Sequence, residues 1–344
     1  MTEKSERNGP TIRDKGRRAR VDIRILRDPP PEVTADGPVR DLAARLAPVF
    51  YLDVGNVCNQ RCTYCAVPRD ELYQTSCEQA LTLTAGALAH GYHDMTLIGG
   101  EPTIWPHLER TLLKAKTLGI RRVLLTTNGL MLAYPEFVTN LPELGIDFIA
   151  LSYDDFNPEQ QQMLSGRPDN PGLLAKAMNN LSKSTIDSYL YAVVTGSMRG
   201  RGAEHTTRFI TETDGFVNRP ALFFAALKPL PPPLVPRPTS QSVPTLSETA
   251  TEIAEAIGAS GSEVTVAFRD VPLCLMLQHL GHSMDLYHQQ AALDLATGTI
   301  EPAPLARDRC FVDTCTNCRL ATSCPGIYKD YLLAHGENEF HHVP

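Results

Sequence analysis

The sequence predicts an α/β protein in which a mostly parallel sheet carries its helices on the outside. From about residue 48 onward, short apolar runs alternate with helical segments of about ten to fifteen residues. Six such alternations follow one another, and parallel neighbours need a crossover connection of this kind. Glycine-rich and polar motifs come directly after several strands, where ligand sites of such folds gather.

Each element can be assigned from these patterns. A short strand, Val21–Leu26, precedes the regular part of the chain. The strands that follow are Val49–Val54, Met95–Ile98, Arg122–Thr126, Phe148–Ser152, Leu190–Thr195 and Ala221–Ala226. The helices between them are Glu78–Ala89, Leu108–Thr117, Pro135–Leu144, Leu173–Ser182 and Glu204–Thr213. Beyond them we expect a helix over Thr245–Ala259 with Ser247 as N-cap, a strand over Val264–Phe268 and a hairpin over Ala291–Glu301.

Composition divides the chain into four segments. Residues 1–44 are a flexible basic segment and lead-in, whose first twenty residues hold seven Lys or Arg and three acidic side chains. Residues 45–228 are the predicted core. Seven prolines make residues 229–245 a semi-rigid linker. Residues 246–344 form a small cysteine-rich extension.

The overall composition excludes several classes of protein. The 344 residues are 42% hydrophobic and carry a formal net charge of −7. This charge argues against a protein whose whole surface binds nucleic acid. The apolar runs are too short for a membrane span, and the first ten residues lack a secretory signal. We therefore expect a cytoplasmic protein. We interpret the basic first residues as a solvated tail, with a nucleic-acid-binding arm as the alternative.

The cysteines indicate metal binding. Nine cysteines in a chain without signs of export argue against a disulfide framework. Seven of them fall into two groups, which are Cys58, Cys62 and Cys65, then Cys310, Cys315, Cys318 and Cys324. The other two, Cys77 and Cys274, stand alone, and Cys77 has the features of a small buried residue.

The first group follows the first strand of the core. Its spacing, Cys58-Asn-Gln-Arg-Cys62-Thr-Tyr-Cys65, places three thiols on one loop. A cubane cluster held by three cysteines leaves one iron open. This loop resembles the cluster-binding signature of the radical SAM superfamily. The resemblance implies that the three cysteines hold a 4Fe–4S cluster whose open iron binds S-adenosylmethionine (SAM), and that Tyr64 packs near the adenine. The alternative is a zinc loop.

Two further sets of residues fit the same resemblance. The first resembles the GGEP motif, which contacts the methionine amino group of SAM, and consists of Gly99, Gly100, Glu101 and Pro102. The second set lies at later strand ends and is expected to line the ribose, the methionine carboxylate and the adenine: Asn128, Ser152 and Asp154. The alternative for each is local turn chemistry.

The second cysteine group resembles the centre of the SPASM and twitch extensions of some radical SAM proteins. Its spacing is C-x4-C-x2-C-x5-C. Ala303 and Tyr328 stand where a full SPASM pattern has cysteines, so the resemblance implies one auxiliary 4Fe–4S cluster and not two. Its fourth ligand could be Cys310 or Cys274. A structural zinc site is the alternative.

The resemblance implies a partial (βα)6 TIM-like barrel with the cysteine-rich extension over its open mouth. It implies an enzyme that reductively cleaves SAM to a 5′-deoxyadenosyl radical, which abstracts hydrogen from an organic substrate, with flavodoxin or ferredoxin as an electron donor. No catalytic side chain can be assigned.

The short segment before the barrel favours a small metabolite of a specialised biosynthetic pathway as substrate. A peptide-modifying maturase, forming a cross-link or an epimer, is the alternative within this class. A non-enzymatic iron–sulfur or zinc scaffold is the alternative from another class.

Overall fold

A computed structural model describes residues 20–29, 37–67, 71–229, 243–302 and 308–344. The basic tail, most of the proline-rich linker and Ala303 lie outside the described residues. Among the described helices, none combines the length and apolar character needed to cross a membrane.

Ten of the described strands form one sheet. In spatial order they are β10, β9, β1, β2, β3, β4, β5, β6, β7 and β8. Their bounds are β1 Arg20–Leu26, β2 Val49–Asp53, β3 Asp94–Ile98, β4 Arg122–Thr127, β5 Ile146–Ser152, β6 Asp187–Val194, β7 Ala221–Ala226, β8 Val266–Arg269, β9 His288–Asp294 and β10 Ile300–Pro302. Strands β2 to β8 are parallel, whereas β1, β9 and β10 pair antiparallel. A separate ribbon pairs β11 (Arg309–Cys310) with β12 (Ile327–Tyr328).

The helices follow the strands as expected. Their bounds are α1 Arg40–Arg45, α2 Cys77–Ala89, α3 Leu108–Leu118, α4 Pro135–Asn140, α5 Pro158–Ser165, α6 Asn170–Leu181, α7 Gly202–Glu212, α8 Leu246–Ser260 and α9 Lys329–His335. The N-cap of α8 is Thr245, which forms a capping box with Glu248, so Ser247 lies in the first turn and does not cap the helix. Helices α1, α5 and α9 were not predicted from the sequence.

The predicted α/β barrel is confirmed, and its sheet extends beyond residues 45–228. The six predicted core strands correspond to β2 through β7. On one side, β8 pairs parallel with β7, and α8 packs against α7, so residues 246–269 continue the barrel beyond the proline-rich segment. On the other side, β1 lies between β2 and β9, which joins the residues before and after the barrel to the same sheet.

Successive side chains of each strand point to opposite faces of the sheet, and both faces are covered by apolar side chains. On β4 and β5, Leu125 and Leu151 belong to the apolar cluster beneath the outer helices. Their neighbours Leu124 and Ala150 belong to a second cluster, which includes Leu42 of α1. The second set faces the concave side of the sheet, and the lumen described below lies there.

Candidate functional site

The GGEP loop lies against the loop that carries the first cysteines. The backbone N–H of Gly100 donates to the Gly55 carbonyl at 2.6 Å, and that of Glu101 donates to the Val57 carbonyl at 2.9 Å. A Cβ on Gly100 would lie 2.3 Å from the Val57 oxygen, and Gly99 has a φ of +143°. Both glycines are therefore required for this close approach of two backbones. One role of the motif is to fix the chain that leads into Cys58.

The three thiols of the loop are half-buried and have polar neighbours. The Cys58 sulfur accepts from the Gln60 N–H at 3.4 Å and from the Asn128 side-chain amide at 3.8 Å. The Cys65 N–H donates to the Cys62 carbonyl at 3.2 Å, which closes the C-x2-C turn. Soft thiolate donors with N–H groups directed at sulfur suit an iron–sulfur cluster.

The three thiols are suitable ligands for an iron–sulfur cluster. In the described part of the chain, no group of three or more His, Cys, Asp or Glu side chains is arranged to hold one metal ion. A cubane spreads its thiolates over different irons, so they need not converge on one point. Cys58, Cys62 and Cys65 would hold such a cluster, and three ligands leave its fourth iron open.

Glu101 acts as a positioning residue in this structure. It is only 2% exposed. One carboxylate oxygen accepts from the Thr103 N–H at 3.0 Å, the Thr103 hydroxyl at 2.6 Å and the Thr127 hydroxyl at 2.7 Å. The other accepts from the Asn128 N–H at 2.7 Å. Burial raises the pKa of Glu101, although these hydrogen bonds oppose the rise. The carboxylate thus joins the ends of β3 and β4.

Tyr64 and Asp154 link the cysteine loop to the end of β5. The Tyr64 hydroxyl donates to the Asp154 carboxylate at 2.5 Å, and the other oxygen of that carboxylate accepts from the Val193 N–H at 3.2 Å. Asp154 is 3% exposed, and burial raises its pKa to about 6. Burial also raises the pKa of the Tyr64 hydroxyl. The two side chains therefore form a buried bridge beside Cys62 and Cys65.

The remaining predicted positions lie along the same edge of the barrel. Asn128 donates to Asn59 at 2.8 Å as well as to the Cys58 sulfur. Ser152 is the half-buried last residue of β5, and Pro102 begins a buried 3-10 turn after β3. The structure therefore brings all the predicted SAM-contacting residues to the carboxyl ends of β2 to β5, where parallel sheets place their ligand sites.

Helix α5 also holds the cysteine loop, and the sequence analysis missed it. The Arg61 N–H donates to the Ser165 carbonyl at 3.1 Å, and the Thr63 N–H donates to the Leu164 carbonyl at 2.9 Å. The helix ends at Gly166, whose φ is +63° and where a Cβ would lie 2.5 Å from the Arg61 carbonyl oxygen. Pro158 and the capping Asn157 marked this helix, although its polar sequence gave little apolar periodicity.

A cavity of about 290 Å³ occupies the barrel lumen. Its walls come from alternate strand positions and include Thr96 and Ile98, Leu124 and Thr126, and Tyr189 and Tyr191. Arg24 and Arg269 also line it. The hydroxyls of Tyr51 and Thr96 are buried there without a hydrogen-bond partner in the described residues. None of these residues was predicted to line a site, although several lie at alternate positions of the predicted strands.

A second cavity of about 480 Å³ adjoins the lumen, because both are lined by Arg269 and Gln290. Arg309 lines it and binds Asp270 and the Tyr328 hydroxyl. Asp285 also lines it, and burial followed by repulsion from Asp270 raises the pKa of Asp285 to about 6. The cavity lies between the barrel and the cysteine-rich segment, and Cys310 forms part of its wall.

Four other cysteines of the C-terminal part line a third, much smaller cavity of about 20 Å³: Cys274, Cys315, Cys318 and Cys324. Burial raises the pKa of the Cys274 thiol, and it raises that of Cys324 to about 11. The remaining cysteine, Cys77, is 2% exposed and accepts a hydrogen bond from the Thr111 hydroxyl at 3.4 Å. This confirms Cys77 as a small buried residue.

A sequence profile of the Radical SAM superfamily matches residues 52–203. The chain carries a radical SAM domain. This domain contains the three-cysteine loop, the GGEP loop and the ends of β2 to β5. Its cofactors are a 4Fe–4S cluster and SAM, as the sequence analysis expected.

Curated relatives support this assignment over the same region. The chain is 29% identical over 194 residues to GTP 3′,8-cyclase 1 of Mycobacterium tuberculosis (strain CDC 1551 / Oshkosh), which covers 51% of this chain and 50% of that protein. It is 31% identical over 141 residues to an S-adenosylmethionine-dependent nucleotide dehydratase of Flammeovirga pacifica, covering 39% and 47%. The chain spans about half the length of the curated relatives it matches.

Solved structures share the fold. Native anSMEcpe with bound AdoMet and a peptide, Kp18Cys, superposes with a TM-score of 0.52 at 17% identity, covering 63% of this chain and 62% of that one. The FeFe-hydrogenase maturase HydG from Carboxydothermus hydrogenoformans superposes with a TM-score of 0.52 at 17% identity, covering 68% and 56%. At this identity the likeness shows the barrel fold alone.

Proposed function

We propose that this radical SAM protein is an enzyme that cleaves SAM reductively and removes a hydrogen atom from a small anionic metabolite bound in the barrel lumen. The observation that carries the proposal is the clamped three-thiol loop at the rim of the lumen. Ile98 and Thr126 line the lumen, and the GGEP loop and Asn128 follow them directly in the chain. Cofactor and substrate would therefore lie next to each other.

The side chains of the site hold this arrangement together. Cys58, Cys62 and Cys65 would hold the cluster, which would supply the electron for reductive cleavage of SAM and hence the means of removing a hydrogen atom from the substrate. Glu101 keeps the ends of β3 and β4 together beneath the cofactor site. The Tyr64–Asp154 bridge closes the site towards β5. Rigid placement of this kind lowers the entropic cost of bringing the reacting atoms together.

The lumen favours an anionic substrate with several polar groups. Two arginines and one carboxylate, Asp22, line the cavity. Arg24 is 7% exposed, and Arg269 is largely buried and forms an ion pair with Asp270 at 3.1 Å. The hydroxyls of Tyr51 and Thr96, which have no partner among the described residues, are available to hydrogen-bond a ligand. A volume of about 290 Å³ with an adjoining space of about 480 Å³ admits a nucleotide-sized molecule. Two of the relatives carry names that describe reactions of nucleotides, so nucleotides are the first substrates to test.

The reaction is tested by anaerobic reconstitution with iron and sulfide, followed by reduction with dithionite and measurement of 5′-deoxyadenosine. Reduced flavodoxin or ferredoxin replaces dithionite in a second arm, because the proposal includes such a donor. We expect wild-type protein to form 5′-deoxyadenosine and a Cys58/Cys62/Cys65→Ala variant to form none. Absence of cleavage by fully loaded wild-type protein would favour a non-enzymatic iron–sulfur or zinc scaffold.

The substrate class is tested with ATP, GTP, CTP and UTP as binding probes, followed by mass spectrometry of each after turnover. For any of these nucleotides that binds the wild-type protein, replacing Arg24 by Gln should weaken binding about tenfold or more, because a charge-assisted hydrogen bond contributes ~1.5–3 kcal/mol. Arg208→Gln, at an exposed position of α7, is the matched control. Equal loss in both variants would contradict a lumen site. Reaction of a peptide and of no nucleotide would support a peptide-modifying maturase.

A further inference from the structure

Four of the five cysteines in the C-terminal part of the chain line the small cavity. Cys274 follows β8 in a 3-10 turn, and the other three thiols come from the segment between β11 and β12. Apart from the thiols, the cavity wall is mostly apolar and includes Pro272, Phe311, Leu320, Ile327 and Phe340. The fold therefore brings together half-buried thiols that are distant in sequence, in mostly apolar surroundings.

Backbone amides lie near two of these sulfurs. The backbone amide of His341 lies near the Cys274 sulfur and opposes the rise in the pKa of that thiol. The backbone amides of Leu273 and Gly326 act in the same way on the Cys324 thiol. Hydrogen bonds from backbone amides to sulfur, in an apolar shell, are among the features by which proteins stabilise the negatively charged thiolates of iron–sulfur clusters.

The chain between Cys315 and Cys318 turns tightly. The Cys318 N–H donates to the Cys315 carbonyl at 3.1 Å, as the Cys65 N–H does to Cys62 in the first loop. Asn317 adopts a φ of +60°, a left-handed conformation that asparagine tolerates better than most residues. This turn allows both thiols to line the same cavity.

Cys310 does not line the small cavity. It lies in β11, where it pairs with Ile327 of β12, and it lines the 480 Å³ cavity, whose wall also includes Cys324. Gly326, next to Ile327, has a φ of +74°, and a Cβ there would lie 3.1 Å from the Cys310 carbonyl oxygen. The ribbon therefore holds Cys310 in the wall of the larger cavity.

We infer that Cys274, Cys315, Cys318 and Cys324 hold one auxiliary 4Fe–4S cluster and that Cys310 is not a ligand. The soft thiolate donors and the mostly apolar wall of the cavity suit such a cluster. Four thiolates provide a ligand for each iron, so this cluster has no open iron for a substrate. The inference concerns ligands alone and does not depend on the proposed reaction.

The test uses the full chain with Cys58, Cys62 and Cys65 replaced by Ala, so that the loop cluster cannot form. After anaerobic reconstitution we expect about four irons per chain and the absorbance of a 4Fe–4S cluster. Adding Cys310→Ser should leave both unchanged. Adding Cys274→Ser should lower the iron content by at least one iron per chain or produce the EPR signal of a three-iron cluster. Circular dichroism of each variant reports whether it folds.

Three results would overturn the inference. Loss of iron with Cys310→Ser and retention with Cys274→Ser would assign the other ligand set. Zinc in place of iron by elemental analysis would make the site structural. The third comes from alkylation of native wild-type holoprotein, a measurement that needs no variant to fold: labelling of Cys274, with Cys310 protected, would contradict the assignment. We expect Cys310 to react with iodoacetamide and the four ligands to react only after the iron is removed.

Discussion

The two cysteine groups of this protein differ in ligand number and in surroundings. The first provides three thiols on a single loop, with the polar side chain of Asn128 beside Cys58. The second provides four thiols from two distant segments, in a mostly apolar cavity of about 20 Å³. Three ligands leave an iron free for a further molecule, whereas four do not. The comparison indicates one cluster that binds a cosubstrate and one that is closed.

The largest expected difference is in how easily iron is removed. We expect a chelator such as EDTA, added with ferricyanide, to remove about four irons per chain quickly and the other four much more slowly. The loop provides three thiols and leaves one iron without a protein ligand, which a chelator can bind, whereas four thiols would provide a ligand for every iron of the second cluster. SAM should protect the first four irons. Iron counts after desalting at successive times measure both phases, and a single phase unaffected by SAM would contradict the comparison.

Replacing Gly100 by Ala should disrupt the first cysteine group and leave the second intact. The new Cβ would lie 2.3 Å from the Val57 carbonyl oxygen, so the GGEP loop must move away from the cysteine loop. We expect a loss of about 3 kcal/mol in the free energy of unfolding and loss of the loop cluster, with the C-terminal cluster retained.

The control for this variant is Gly172→Ala in α6, where nothing lies within 4 Å of the added Cβ. It should stabilise the protein by about 0.5–1 kcal/mol, because alanine favours a helix over glycine. Urea unfolding and iron content measure both variants. Retention of eight irons in Gly100→Ala would show that the cysteine loop can hold its cluster without the close contact with the GGEP loop.

Replacing Glu101 by Gln should also destabilise the protein, but less than Gly100→Ala does. The carboxylate accepts hydrogen bonds from four donors, including the Asn128 N–H at 2.7 Å. The NH₂ group of the new amide would face some of these donors and could not accept from them. We expect a loss of about 2 kcal/mol in the free energy of unfolding. Glu109→Gln, at an exposed position of α3, is the control for a change in charge. An effect as small as that of the control would contradict a positioning role for Glu101.

The smallest predicted effect is a pH dependence at Asp154. Its pKa is raised to about 6, so the folded protein binds this proton more tightly than the unfolded chain does. The associated stability is greatest below the unfolded pKa of 3.8 and is lost as the pH rises towards 6. Relative to Asp154→Asn, wild-type protein should lose roughly 1.4 kcal/mol between pH 5 and 7.5.

Denaturant unfolding of the apoprotein at several pH values measures this difference. The control is Asp214→Asn, which removes an exposed carboxylate. A constant difference between wild type and Asp154→Asn across this range would show that burial does not raise the pKa of Asp154.

Periodicity predicted most of the barrel because its strands and outer helices are regular. The alternation of apolar runs predicted β2 to β7 and their helices within a few residues. It missed α5, whose sequence Pro-Glu-Gln-Gln-Gln-Met-Leu-Ser is mostly polar, and also α1 and α9, which are short. It also predicted β1 without indicating that β1 pairs with β9, because the partner of a strand depends on contacts between distant segments.

By itself, the sequence determined the three-thiol loop, the GGEP turn and the order of the strands, because each depends on residues close together in the chain. Only the tertiary structure showed that Cys274, and not Cys310, joins the C-terminal thiols in one cavity. Likewise, only the fold revealed the buried roles of Glu101 and Asp154 and placed Arg24 and Arg269 in one lumen. Spacing fixes which thiols can share a loop, whereas packing decides which side chains from distant segments meet and which are removed from water.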